Sequence, residues 1–101
     1  MHIQCGPRIS WDEAKRRRNL DEHGVDFAGL EAFFDADLLT WDDRREPYGE
    51  PRFQSIGLVN DTALFVAWAL RGAEGDVPHI ISARKAVKHE TQAWLERYAK
   101  R

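Results

Sequence analysis

The first regular stretch of the chain is mostly polar. Residues 11–23 read as a helix, opened by Ser10-Trp11-Asp12-Glu13 and closed by Gly24. Ser10 is placed to cap the Glu13 amide while Glu13 reaches back, and Gly24 supplies the left-handed residue that stops a helix. Phe27, Leu30, Phe33 and Phe34 then recur at i, i+3, i+6 and i+7, the apolar stripe of a short second helix capped by Asp26. A brief strand over 38–41 precedes two longer apolar runs, 52–59 and 62–70, separated by Asn60-Asp61, a pair that accepts the positive φ of a tight hairpin. In the second run Leu64, Val66, Trp68 and Leu70 share one face, but Ala63, Phe65, Ala67 and Ala69 are apolar too, so this strand is central and covered on both sides. Residues 77–83 read as a further strand. A final helix over 87–99 carries Val87, Trp94, Leu95 and Tyr98 among charges. Two helices, a run of strands and a closing helix predict an α+β fold with helices against an antiparallel sheet.

Composition narrows the class. With 101 residues, 43% of them hydrophobic, the chain fits one compact domain and a packed core. Fifteen Lys and Arg stand against 17 Asp and Glu, for a net charge of -2, so any anion site is local rather than a property of the whole surface. The lone Cys5 forms no internal disulfide, and no apolar run long enough for a signal or a membrane span is visible, so a cytoplasmic location is expected.

Two groups of residues carry candidate chemistry. The four histidines, His2, His23, His79 and His89, lack metal-ligand spacing, and neither a metal site nor a cofactor is expected. Cys5 has no identifiable base beside it. Trp11, Lys15, Asn19 and His23 line one stripe of the first helix, too polar for a core face. That stripe is either a binding surface or a polar seam against the sheet. The second group is basic residues at strand ends: Arg52 opens one strand, and Arg84 with Lys85 follows another. Guanidinium groups there suit two-pronged phosphate contacts or ion pairs with nearby acids, and Glu50 beside Arg52 fits a base next to a charge stabiliser or a salt bridge.

Read in order, Trp11-Asp12-x-x-Lys15-x-x-x-Asn19-x-x-x-His23-Gly24-Val25-x-Phe27, Glu50-x-Arg52 with Ile56-Gly57, and Ile81-Ser82-Ala83-Arg84-Lys85-Ala86-x-x-x-Glu90 resemble the BrnT family of bacterial toxins. The resemblance covers residues 11–90. It implies a RelE-like fold, metal-independent RNA cleavage, and neutralisation by a BrnA-type antitoxin whose ribbon-helix-helix part binds operator DNA. A heterotetramer of two toxins and two antitoxins is expected on the same ground. The chain departs from the family pattern at His79, where Arg is common, and at Trp94, where Tyr is usual; Tyr98, one turn on, is a possible substitute.

RNA cleavage without a metal needs a proton acceptor for the ribose 2′-hydroxyl and donors for the charge that develops on phosphate. Arg52 and Arg84 suit the second role, and Glu50, His79 or His23 the first. The expected catalytic set is therefore Glu50, Arg52, His79 and Arg84, with Lys15, His23, Lys85 and Trp94 on flanking RNA. A degenerate toxin acting as an interaction module, or a non-catalytic RNA-binding domain using Trp and Arg stacking, is the competing expectation.

Overall fold

The computed structural model describes residues 8–99; His2 and Cys5 lie outside the described residues. The elements run β1 (Ser10–Trp11), α1 (Glu13–His23), a 3-10 turn (Phe27–Gly29), α2 (Glu31–Asp35), β2 (Leu39–Asp42), β3 (Arg52–Val59), β4 (Thr62–Arg71), β5 (Val77–Lys85) and α3 (Lys88–Tyr98). The fold is α+β, with one five-stranded sheet in the order β1-β5-β4-β3-β2.

The sheet is mixed rather than antiparallel. β2 to β5 form antiparallel neighbours, but β1 lies parallel to β5, with Ser10 opposite His79 and Trp11 opposite Ile80. Ser10 is thus a strand residue and not the helix cap. Asp12 caps α1 instead, its side chain accepting the Lys15 amide at 3.1 Å, while Gly24 ends the helix at φ 72° as its position requires. The second helix is also broken up: Asp26 caps a 3-10 turn, accepting the Ala28 amide at 2.9 Å, and α2 has only five residues. β5 runs past Ala83, so Arg84 and Lys85 are strand residues, as is Arg71 at the end of β4.

β4 is the middle strand, and the Asn60-Asp61 turn takes φ values of 52° and 65°, the paired positive angles that match hairpin twist. One face of the sheet carries the main core: Ile9, Val25, Phe27, Leu30 and Phe33 pack on Leu64, Val66, Ile80 and Ala83, with Trp68 and Phe34 at the margin. Gly57 on β3 lets this layer close, because a Cβ there would stand 2.5 Å from Leu38 Cδ2 and 3.1 Å from Phe33 Cε1. α3 packs against β3 and is pinned to the chain entering β2, where Trp94 Nε1 donates to the Asp37 carbonyl at 3.0 Å and the Tyr98 hydroxyl donates to that of Leu38. Among the described residues no helix is long and apolar enough to cross a membrane.

α1 buries one residue, Asn19. A helix so polar on every side has no hydrophobic stripe to dock with and is held by specific polar contacts instead. Arg16 supplies some of them, bonding Glu13 at 2.6 Å on its own helix and Asp26 at 3.2 Å before the 3-10 turn.

Candidate active site

The face of the sheet opposite the main core is mixed: Ile56, Ala67 and Ala69 are buried there, with charged and polar side chains set around them. Strand pairing aligns Ser10, His79, Ala69 and Arg52 in one row across β1, β5, β4 and β3. The next row is Ser82, Ala67, Gln54 and Trp41, and the one after it Arg84, Phe65, Ile56 and Leu39. Simple alternation along β5 would put His79 and Arg84 on opposite faces, since they are five residues apart. A bulge prevents this: Ala67 faces Ser82 while Trp68 faces Ile80, leaving Ile81 extra, and His79, Ser82 and Arg84 end on the same side.

At the first row, Glu50 is sandwiched by two arginines. Its carboxylate accepts from Arg52 Nε at 3.1 Å and from Arg71 Nε and Nη2 at 3.0 and 2.9 Å. Those bonds, Arg71's first, hold its pKa down at about 2. A carboxylate so acidic is a poor proton acceptor near neutral pH. Its effect is to aim two guanidinium groups, and Arg52 is further fixed by stacking 4.1 Å from the centre of the Tyr48 ring. Arg71 lies one residue past the 62–70 strand that the sequence predicts and is not among its candidates; the odd-numbered series Phe65, Ala67, Ala69 carried two residues further reaches it.

His79 is the other reactive group of the row. Its Nδ1 lies 2.8 Å from Ser10 Oγ, and among the described residues its Nε2 has no hydrogen-bond partner. Burial pushes its pKa below the usual histidine value, with the positive charges of Arg71 and Lys15 acting in the same direction and Glu50 and Asp12 opposing. The ring is therefore neutral at neutral pH, the form that accepts a proton. Two strand spacings separate His79 from Arg52, about 10 Å between backbones, so side chains of this length can meet at one phosphate.

Arg84 lies four residues further along the sheet, about 14 Å from that row, too far to share the same phosphate oxygens. It is also engaged: Nη1 and Nη2 donate to the two Glu90 oxygens at 2.9 Å each, and the guanidinium stacks 4.2 Å from the centre of the Phe65 ring. Glu90 in turn accepts the Val87 amide at 2.9 Å at the start of α3. The pair raises the pKa of Arg84 and lowers that of Glu90, so both stay charged.

Beyond β5, Lys15 and His23 line a shallow cleft between α1 and the sheet with Arg18, Glu22 and Ser82. The α1 stripe thus divides between its two expected fates: Lys15 and His23 are exposed, while Asn19 is a buried seam. Lys85 sits with Leu64 on the opposite side of the sheet from Arg84, lining a depression beside Gly24 and Asn60. The indole N–H of Trp94 is committed to Asp37, leaving only its ring for other contacts. Among the described residues no three His, Cys, Asp or Glu side chains converge as a metal cage would require.

This arrangement offers fixed guanidinium charge beside a neutral imidazole, all partly exposed, which suits binding a phosphodiester and moving a proton next to it. A family model described as the ribonuclease toxin BrnT of type II toxin-antitoxin systems matches residues 11–90. Among solved structures the chain is similar to the ribonuclease toxin BrnT of Brucella abortus, crystallised at 1.1 Å resolution, with a TM-score of 0.65 and 30% identity over 79% of this chain and 96% of that one. No curated protein sequence matches the chain.

Proposed function

The chain belongs to the BrnT family of ribonuclease toxins of type II toxin-antitoxin systems, and from that premise we propose that its open sheet face cleaves RNA without a metal ion. His79 Nε2 takes the proton of a ribose 2′-hydroxyl, the oxygen attacks the adjacent phosphorus, Arg52 and Arg71 carry the growing charge as the bond to the 5′ oxygen breaks, and that oxygen leaves as a hydroxyl protonated by solvent water. Glu50 keeps the two guanidinium groups aimed. Arg84 holds a neighbouring phosphate after exchanging Glu90 for it, and Lys15 and His23 extend the contact past the edge of β5. Lys85 and Trp94 stand outside this track.

The observation that carries the reading is the alignment of Arg52 and His79 in one row, with Glu50 and Arg71 beside it. The RelE-like architecture, a cytoplasmic location, arrest of translation, a BrnA-type ribbon-helix-helix antitoxin that alone touches operator DNA, and a complex of two toxins with two antitoxins complete the proposal; family resemblance supports them. An antitoxin laying acidic or apolar segments over α1 and the strand ends would neutralise Lys15 and Arg52 and exclude RNA.

A second reading has its own support, because Arg52, Arg71 and Arg84 are each ion-paired with a carboxylate. In a degenerate toxin those pairs would be structural and the face a protein-binding surface. Induced expression of the chain, with RNA integrity followed in EDTA-treated extracts, separates the two. The ribonuclease reading expects growth arrest and cleavage that survives chelation and is lost in Arg52→Ala. Intact RNA and normal growth at confirmed expression would leave the interaction module.

A further inference from the structure

His79 reaches the open face on a strand whose outer neighbour is only two residues long, and one of those residues is Ser10. His79 is half-buried, and a ring with one side free can still turn about its side-chain bonds, so a contact that restrains it acts on whatever the ring does. β1 supplies that contact through its parallel register, setting Ser10 Oγ 2.8 Å from Nδ1 while leaving Nε2 without a partner among the described residues.

We infer that Ser10 is a positioning residue for His79: its hydroxyl oxygen accepts the Nδ1–H proton, which leaves the Nε2 lone pair turned toward the open face. The inference rests on the ribonuclease reading for its purpose but concerns the free protein. In the step proposed above, the 2′-hydroxyl proton moves to Nε2 and the neutral ring becomes imidazolium. Nδ1 keeps its proton throughout, so the bond to Ser10 persists before and after the transfer and the ring need not turn. A hydroxyl suits this better than a carboxylate would. A carboxylate orients the ring equally well but favours its charged form, whereas a neutral acceptor leaves the ring free to remain a base at neutral pH. The charged groups facing the ring are Arg71 from β4, Glu50 ahead of β3, and Lys15 and Asp12 from α1 and its cap, two positive and two negative. None of these four hydrogen-bonds to the imidazole in the structure, so Ser10 is the group that directs it.

The test is ring-nitrogen NMR of the full chain labelled with 15N, combined with RNA cleavage against pH for the parent chain, Ser10→Ala and Ser10→Thr. We expect neutral His79 to carry its proton on Nδ1 and Ser10→Ala to lose that preference. The same variant should lower kcat on the order of 10- to 100-fold with KM little changed and the acid limb of the profile displaced. Ser10→Thr, which keeps the hydroxyl and suits a strand, recovers most of the loss. A neutral ring protonated on Nε2 overturns the inference, as do ring shifts unaltered by Ser10→Ala or a Ser10→Thr protein no better than the alanine variant. If the parent chain shows the Nδ1–H form, lost in Ser10→Ala, yet cleaves no RNA, the positioning role stands and the ribonuclease reading falls.

Discussion

The side-chain amide of Asn19 pairs with the backbone of Ala83 as a neighbouring strand would. Its Nδ2 donates to the Ala83 carbonyl at 2.8 Å, its Oδ1 accepts the Ala83 N–H at 3.1 Å, and Nδ2 also donates to the Val25 carbonyl at 2.9 Å. β1 covers only the beginning of β5, at His79 and Ile80, so the edge at Ala83 is left to the helix. One buried amide thereby substitutes for a missing peptide group and docks α1, which has no apolar face of its own.

Removing that amide should be costly. Asn19→Ala leaves the Ala83 N–H and two carbonyls without partners in a buried seam, a loss on the order of 3 kcal/mol and a fall in Tm of about 10 °C or more. Asn19→Asp, which cannot donate, should be impaired as well. Thermal unfolding of both variants checks this; a change within about 0.5 kcal/mol would mean that α1 is held mainly by Arg16.

Glu50 makes stability depend on pH at the acid end. Its folded pKa of about 2 lies below the ordinary 4.5, so the stabilisation from its arginine bonds is fully present above about pH 4.5 and disappears as pH falls through about 2. Denaturant unfolding of the parent chain and Glu50→Gln should therefore differ most above pH 5 and converge toward pH 2. A constant gap across that range would assign the difference to packing rather than charge.

The Arg84–Glu90 pair should prove as much structural as functional. It links β5 to the first turn of α3, and the guanidinium is only partly shielded, with 37% of its side chain exposed against 11% for Glu90. A double-mutant cycle on Arg84→Ala and Glu90→Ala should give a coupling of about 1 kcal/mol, discounted for solvent, and the single Arg84 variant should lose more RNA affinity at low salt than at high salt. Unchanged RNA affinity in folded Arg84→Ala would restrict the residue to anchoring α3.

His79 should set the acid limb of cleavage. Burial lowers its pKa beneath 6.5, so kcat/KM is expected to be flat near pH 7 and to fall below that value as the ring protonates. His79→Ala should cost about 10²- to 10⁴-fold and remove the limb. The linkage to folding has the same sign: the half-buried neutral ring contributes stability above pH 6.5 that is lost as pH drops through the folded pKa. A variant that retains its acid limb would place the titrating group elsewhere.

Much of this protein was legible along the chain because the signals are local. The Asn60-Asp61 turn depends only on which residues tolerate positive φ, the Phe27 to Phe34 stripe on spacing, and the central place of β4 on an apolar run with two apolar faces. The ordered blocks from Trp11 to Glu90 were enough for the family, and side-chain chemistry pointed to Arg52 and His79 as candidates, which strand pairing sets in one row. Geometry between elements was not legible. A two-residue strand is too short to carry a pattern, so Ser10 read as a cap and its contact with His79, 69 positions away, had no local trace. The bulge at Ile81 is a fault in pairing with β4, invisible in β5 itself, yet it turns Ser82 and Arg84 onto the face of His79. Local preference set the elements and the chemical inventory; which side chains share a surface was decided by register, which exists only once the strands have paired.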